Sequence, residues 1–125
     1  MAKRKSTTTA HQADRLSVRL DLACGARIGP GKVAVLEEIA RSGSISAAGR
    51  ALRMSYRRTW ELVEDLNHSL GVPVVETAAG GSGGGGAVLT PAGKAIVERY
   101  RAIEMDTALA ARKHLQALNR ICAHR

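Results

Sequence analysis

The sequence predicts a mainly α domain with one small β-hairpin, and three of its features carry that expectation. Apolar side chains recur every three or four residues around 33–40, 59–66 and 96–122, the spacing of helices that bury one face. Gly43 and Gly71 stand just past the first two stretches, where a left-handed residue ends a helix. A glycine-rich run, Gly80 to Gly86, separates two short strand signals at Val72–Glu76 and Ala87–Leu89, as the tip of a hairpin would. With no phenylalanine in 125 residues, the core has to be aliphatic.

Residues 1–14 read as a flexible basic arm in which Lys3, Arg4 and Lys5 precede a Ser/Thr run. Leu16, Val18, Leu20 and Leu22 then alternate with Ser17, Arg19 and Asp21, the period of a half-buried strand. Gly25 to Gly29 reads as a turn. Pro30 suits the first position of a helix, and Val33, Leu36 and Ala40, with Val35 and Ile39 beside them, give that helix its stripe. A very short helix follows, with Ser46 as its N-cap and Leu52 near its end. Its inward residues are Ala48, Gly49 and Leu52, small enough to let another helix cross closely. Arg53-Met54 is a tight connection, and Ser55 caps the next helix, which reaches about Leu70 and buries Thr59, Leu62, Val63 and Leu66. Thr90-Pro91 opens a last helix extending to about Ile121, about 31 residues or ~46 Å at ~1.5 Å each. Two short helices across a tight turn, followed by a hairpin, make a winged helix-turn-helix.

The formal net charge of +8 and the pI near 10.3 favour an anionic partner, nucleic acid before a membrane face. Cys24 and Cys122 lie far apart without a Cys/His cluster, which argues against a zinc site or a disulfide framework and fits a reducing cytoplasm. Nothing reads as a signal peptide or a membrane span. The four histidines (His11, His68, His114, His124) form no pair at ligand or catalytic spacing, and no Ser/His/Asp or Cys/His arrangement stands out. The expectation is therefore no enzyme, no catalytic residue, no metal and no cofactor.

The charge is concentrated. Arg41, Arg50, Arg53, Arg57 and Arg58 all fall between positions 41 and 60, a stretch without a carboxylate, and two of the three aromatic residues, Tyr56 and Trp60, lie one helical turn apart within it. Flat rings beside guanidinium forks suit a surface that meets double-stranded DNA. The candidate contacts are Ser44, Ser46, Arg53, Ser55, Tyr56, Arg57, Arg58 and Trp60. Arg57 has the fork for a guanine, and Tyr56 can donate to a phosphate or a base. Trp60 has two readings, apolar contact with a base or a ring folded over the neighbouring arginines. Arg58 is either a phosphate contact or solvated, and Ser46 either holds a phosphate or simply caps its helix. In the wing, Gly80, Gly81, Ser82, Gly83, Gly84, Gly85 and Gly86 offer bare backbone N–H groups to phosphates. They fail as a nucleotide-binding loop, because no Gly-Lys-Ser/Thr follows.

Gly43-Ser44-Ile45-Ser46-Ala47-Ala48 with Leu52, Ser55 and Leu66, then Leu70-Gly71-Val72-Pro73, Glu76, Leu89-Thr90 and Ala92-Gly93, resembles the DNA-binding domain of LysR-type regulators. Ser55-Tyr56 with Trp60, the leading strand, and the run from Gly80 through Thr90 are similar to the ModE-type molybdate-responsive transcriptional regulators, over about residues 15–105. Thr77 and Ser82 depart from that pattern, standing where such sequences often carry basic residues. The resemblance implies control of molybdate transport or molybdenum-enzyme genes. Such regulators carry molybdate-binding domains after this one, so a molybdate response is expected only through a partner.

The expected organisation is an arm at 1–14, a DNA-binding domain at 15–90 and a C-terminal dimerisation helix at 91–125. Ile96, Tyr100, Ile103, Thr107, Ala111, Leu115, Leu118 and Cys122 form that helix's stripe, and a homodimer would meet through Tyr100, Ile103, Ala111, Leu115 and Leu118. A solvated tail beyond Met105 is the plainer reading. Two other functions fit: a non-specific architectural DNA-binding protein, as the charge allows, and a dimerisation partner that modulates a full-length ModE-type regulator.

Overall fold

Each helix end is set by a residue suited to it. In the computed structural model, which describes residues 13–78 and 86–122, α1 (Pro30–Ser42) starts with proline in its first turn and ends on Gly43 at φ 74°. α3 (Tyr56–Leu70) is capped by Ser55, whose hydroxyl accepts from the Arg58 N–H at 3.0 Å, and ends on Gly71 at φ 75°. α4 (Pro91–Ile121) begins where the Thr90 hydroxyl accepts from the Gly93 N–H at 3.1 Å. All three spans agree with the sequence expectation.

α2 (Ile45–Ala51) differs in its cap. The hydroxyl of Ser44, not Ser46, accepts the Ala47 N–H at 3.0 Å, because the helix begins two residues earlier and buries Ile45. In α1, Ala40 is exposed, and Val33, Val35, Leu36 and Ile39 carry the buried face instead.

The leading strand is also shorter than its alternation implies. Only β1 (Leu20–Asp21) is strand. It pairs antiparallel with β2 (Arg27–Ile28), Leu20 opposite Ile28 and Asp21 opposite Arg27. The expected turn at 25–29 therefore contains a strand, and the reversal lies at 22–26, with Gly25 at φ 99°. Among the described residues, 16–19 find no partner strand to complete a ladder. The second hairpin joins β3 (Val75–Thr77) to β4 (Ala87–Leu89), Val75 opposite Leu89 and Thr77 opposite Ala87. β3 starts three residues later than expected, beyond Pro73, which lacks the N–H a ladder needs. Of the expected wing, Gly80 to Gly85 with Ser82 lie outside the described residues, as does the arm up to residue 12.

The core is aliphatic apart from one ring. Val33, Leu36, Ile39, Ala48 and Val74 are fully buried, with Val63 and Leu66 of α3 and Tyr100 of α4 closing over them. Burying a side chain such as Leu36 stabilises the fold by about 1.5–3 kcal/mol. Buried polar groups are satisfied: the Thr59 hydroxyl donates to Ser55 O at 2.8 Å, and the Thr90 hydroxyl to Pro73 O at 2.7 Å. Gly93 permits the closest approach, since a Cβ there would stand 2.2 Å from Val74 O.

Two compact units divide the chain within α4. One is Ser17–Glu104 and holds the whole core. The other joins the residues up to Leu16 to those from Met105 onward, where the Asn119 side-chain amide donates to the Asp14 carboxylate at 2.7 Å. The first half of α4 thus belongs to the helix-turn-helix unit, which extends past the boundary expected at residue 90. Tyr100 shows why. Expected at a dimer interface, it is 1% exposed in its own chain and donates its hydroxyl to Val18 O at 2.5 Å. Burial also pushes that phenol above its ordinary pKa, Glu104 adding to the effect.

Candidate nucleic-acid interface

A close crossing sets the site. Gly49 on α2 lies so near α3 that a Cβ would stand 2.7 Å from the Thr59 hydroxyl oxygen and 3.1 Å from Met54 O. The turn between the helices is equally tight. The Met54 N–H donates to Gly49 O at 2.8 Å, and Arg53 takes the left-handed conformation, φ 58°, as the one non-glycine residue to do so among those described. This locks the start of α3 against α2 and leaves its opposite side bare.

On that bare side stand the residues singled out from the sequence. Tyr56 is 57% exposed, Trp60 is 43% exposed and the Arg57 side chain 89%. All three project from the first two turns of α3, while Thr59, Val63 and Leu66 face the core. Trp60 is not covered by an arginine: among the described residues the cation seated over a ring is Arg101, 5.7 Å from the Tyr100 centroid. Arg57 reaches back to Glu61 at 3.4 Å, a loose exposed pair that a stronger acceptor can displace. Arg53 and Arg58 are exposed, and no ion pair among the described residues engages them.

Tyr56 and Trp60 line a notch of about 310 Å³, completed by Ser44, the cap of α2, by Ile45 and Ser46 of that helix, and by Thr77, Gly86 and Ala87 of the hairpin. The hairpin is held there by the Ala87 N–H, which donates to Gly43 O at 2.8 Å. The serines in and beside the notch are partly committed. Ser44 caps α2, Ser55 caps α3, and the Ser46 hydroxyl accepts from Arg50 at 3.0 Å. Thr77 was not singled out from the sequence as a contact; only its pairing opposite Ala87 brings it to the notch.

Three ion pairs, centred on Lys32 and Arg101, stiffen the frame. Lys32 pairs with Asp65 and donates to Arg27 O at 2.8 Å. Arg101 grips Glu37 at 2.5 and 2.9 Å and Glu104 at 2.6 Å. The Lys32 ammonium holds Asp65, and the Arg101 guanidinium holds Glu37, below the usual carboxylate range. Among the described residues no group of three or more His, Cys, Asp and Glu side chains could hold a metal ion, and no helix is long and apolar enough to cross a membrane.

A helix with bare leading turns, crossed closely by a shorter helix and flanked by a hairpin, defines a winged helix-turn-helix domain. The sequence model described as bacterial regulatory helix-turn-helix protein, lysR family, matches residues 31–94, just over half of the chain, and the chain belongs to that family. The molybdenum-pterin-binding protein MopB of Rhodobacter capsulatus is 51% identical over 84 residues, 67% of this chain and 31% of that protein. The molybdenum transport protein ModE of Azotobacter vinelandii is 34% identical over 102 residues, 82% of this chain and 38% of that protein. The chain spans about a third of the length of these curated relatives. Among solved structures, the crystal structure of a CbnR_DBD-DNA complex aligns with a TM-score of 0.52 and 26% identity, covering 74% of this chain and 97% of the other. The resemblance to ModE-type regulators is borne out by these relatives, over 84 and 102 residues.

Proposed function

We propose that the chain is a sequence-reading, DNA-binding transcriptional regulator acting on molybdate-transport or molybdenum-enzyme genes. The observation that carries this reading is the exposure of Tyr56, Arg57 and Trp60 together on the first two turns of α3. A major groove about 12 Å wide admits a helix presented this way, and a guanidinium bidentate to guanine is worth roughly 1–3 kcal/mol of discrimination. The solved complex of a related domain with DNA supports the partner, and the names of the ModE and MopB relatives support the molybdenum connection.

The reading includes a homodimer joined through the distal half of α4. There Leu118 and Ile121 are exposed, and Ala111 and Leu115 half-buried, on a face the second copy would cover. Two α3 helices would then enter successive turns of a pseudo-palindrome, about 34 Å apart. The reading assigns no catalysis and no cofactor to the described residues; a molybdate response would arrive through a partner. Unbiased selection of bound duplexes, with and without molybdate, tests it. Recovery of a two-fold symmetric motif is expected, and sequence-blind recovery would defeat the regulatory reading in favour of an architectural one.

A further inference from the structure

A second groove, of about 400 Å³, opens on the flank of α3 opposite the Trp60 notch. Arg58 lies about 160° around the helix from Trp60, at ~100° per residue. Its neighbours in the groove include Arg19 and Arg27 of the leading hairpin region and Lys32 of α1, and no carboxylate lines it. The floor is bare at Gly31, where a Cβ would meet nothing within 4 Å, and Arg19 lies across Gly29, its Cγ 3.7 Å from where a Cβ there would be.

These cations differ in freedom. Lys32 is committed, its side chain 15% exposed and engaged by Asp65 and Arg27 O. Arg19 and Arg27 share one exposed carboxylate, Asp21, at 3.3 and 3.5 Å, and are themselves 65% and 72% exposed. Such pairs hold weakly in water, and both guanidinium groups can turn to a stronger acceptor. Arg58 has no ion-pair partner among the described residues.

Any helix seated in a major groove has a ridge of phosphates on either side. On a helix seated in that way, the Trp60 notch beside the β3–β4 hairpin would lie towards one ridge and the Arg58 flank towards the other. We propose that Arg19, Arg27 and Arg58 clamp the sugar-phosphate backbone of that second ridge, on the same duplex that α3 reads. This rests on the reading of α3 as a DNA-reading helix. The clamp goes beyond the family frame, because β1 and β2 precede residues 31–94, the stretch matched by the family model. Charge and geometry agree on the ligand: three exposed guanidinium groups along an open groove that no carboxylate lines suit a run of phosphates better than a single small anion.

The test measures binding of the full chain to a random-sequence duplex and to a duplex recovered by selection, across a range of salt. Arg19→Ala with Arg27→Ala should flatten the slope of log affinity against log salt by about 1.8, at about 0.9 for each phosphate no longer neutralised, on both duplexes alike. The ratio between the two affinities should stay unchanged. Asp21→Asn should act in the opposite direction, tightening both by releasing the arginines. An unchanged slope in the double variant, or a loss confined to the selected duplex, would overturn the clamp. Should the double variant unfold, the Asp21→Asn result decides, and no tightening overturns the proposal. Failure of the unmodified chain to bind either duplex removes both the clamp and the regulatory reading. An unmodified chain that still selects sequence while the double variant keeps its slope removes the clamp alone.

Discussion

Gly49 and Thr59 meet across the α2–α3 crossing with no room for a methyl group: a Cβ on Gly49 would stand 2.7 Å from the Thr59 hydroxyl oxygen. That close approach sets the angle at which α3 presents its leading turns. Gly49→Ala should therefore destabilise the domain despite alanine's better helix propensity. Overpacking costs about 1–3 kcal/mol, against roughly 1 kcal/mol gained in the helix interior. Urea unfolding measures the balance, and Thr59→Ala in the same chain should recover part of the loss. A fully tolerated Gly49→Ala would mean that the two helices can part there without cost.

Arg57→Ala should erase sequence preference more than general affinity. We expect a loss of roughly 1–3 kcal/mol on the selected duplex and a much smaller one on random duplex. Anisotropy titrations on the two probes make the comparison. Equal losses would reduce Arg57 to a phosphate-binding role.

Truncation after Met105 should give a folded monomer. The compact unit ends at Glu104 and retains every core residue, including Tyr100, while the exposed Leu118 and Ile121 are removed. Sedimentation would show the change in mass. A truncated chain that still sediments as a dimer places the interface elsewhere.

Acid should weaken the fold through two particular carboxylates. Glu37 and Asp65 have folded-state pKa values lowered by Arg101 and Lys32, so their contribution is fully present above the unfolded-state carboxylate pKa and is lost as pH falls through the lowered folded values. Stability measured against pH should be flat from neutrality down to the ordinary carboxylate range and fall below it. Glu37→Gln should shallow that fall. Tyr100 acts at the other end, since its raised pKa means support that is lost as pH rises through the folded value.

Much of the fold is legible in the residues. Ser55, Gly43, Gly71 and Thr90 announce helix ends that the structure keeps, because capping chemistry is local. The exposed set on α3 follows from helical period alone. What escapes is decided by partners distant in sequence. Leu16 to Leu22 alternate throughout, yet only Leu20 and Asp21 find a facing strand. Ser44 and Ser46 are both good caps, and the burial of Ile45 selects the first. Tyr100 sits on one unbroken stripe with Leu115 and Leu118, and periodicity does not say where the chain's own core stops needing it. Arg19 and Arg27 come together only because the chain reverses between them.

Arg53 carries a lasting compromise. Its left-handed backbone, φ 58°, suits glycine, and a longer side chain there costs about 1 kcal/mol or more. Arg53→Gly should accordingly raise the melting temperature, and removing an exposed cation beside α3 should loosen the grip on DNA. Arginine at this corner therefore sets backbone ease against an exposed guanidinium at the joint between the two helices.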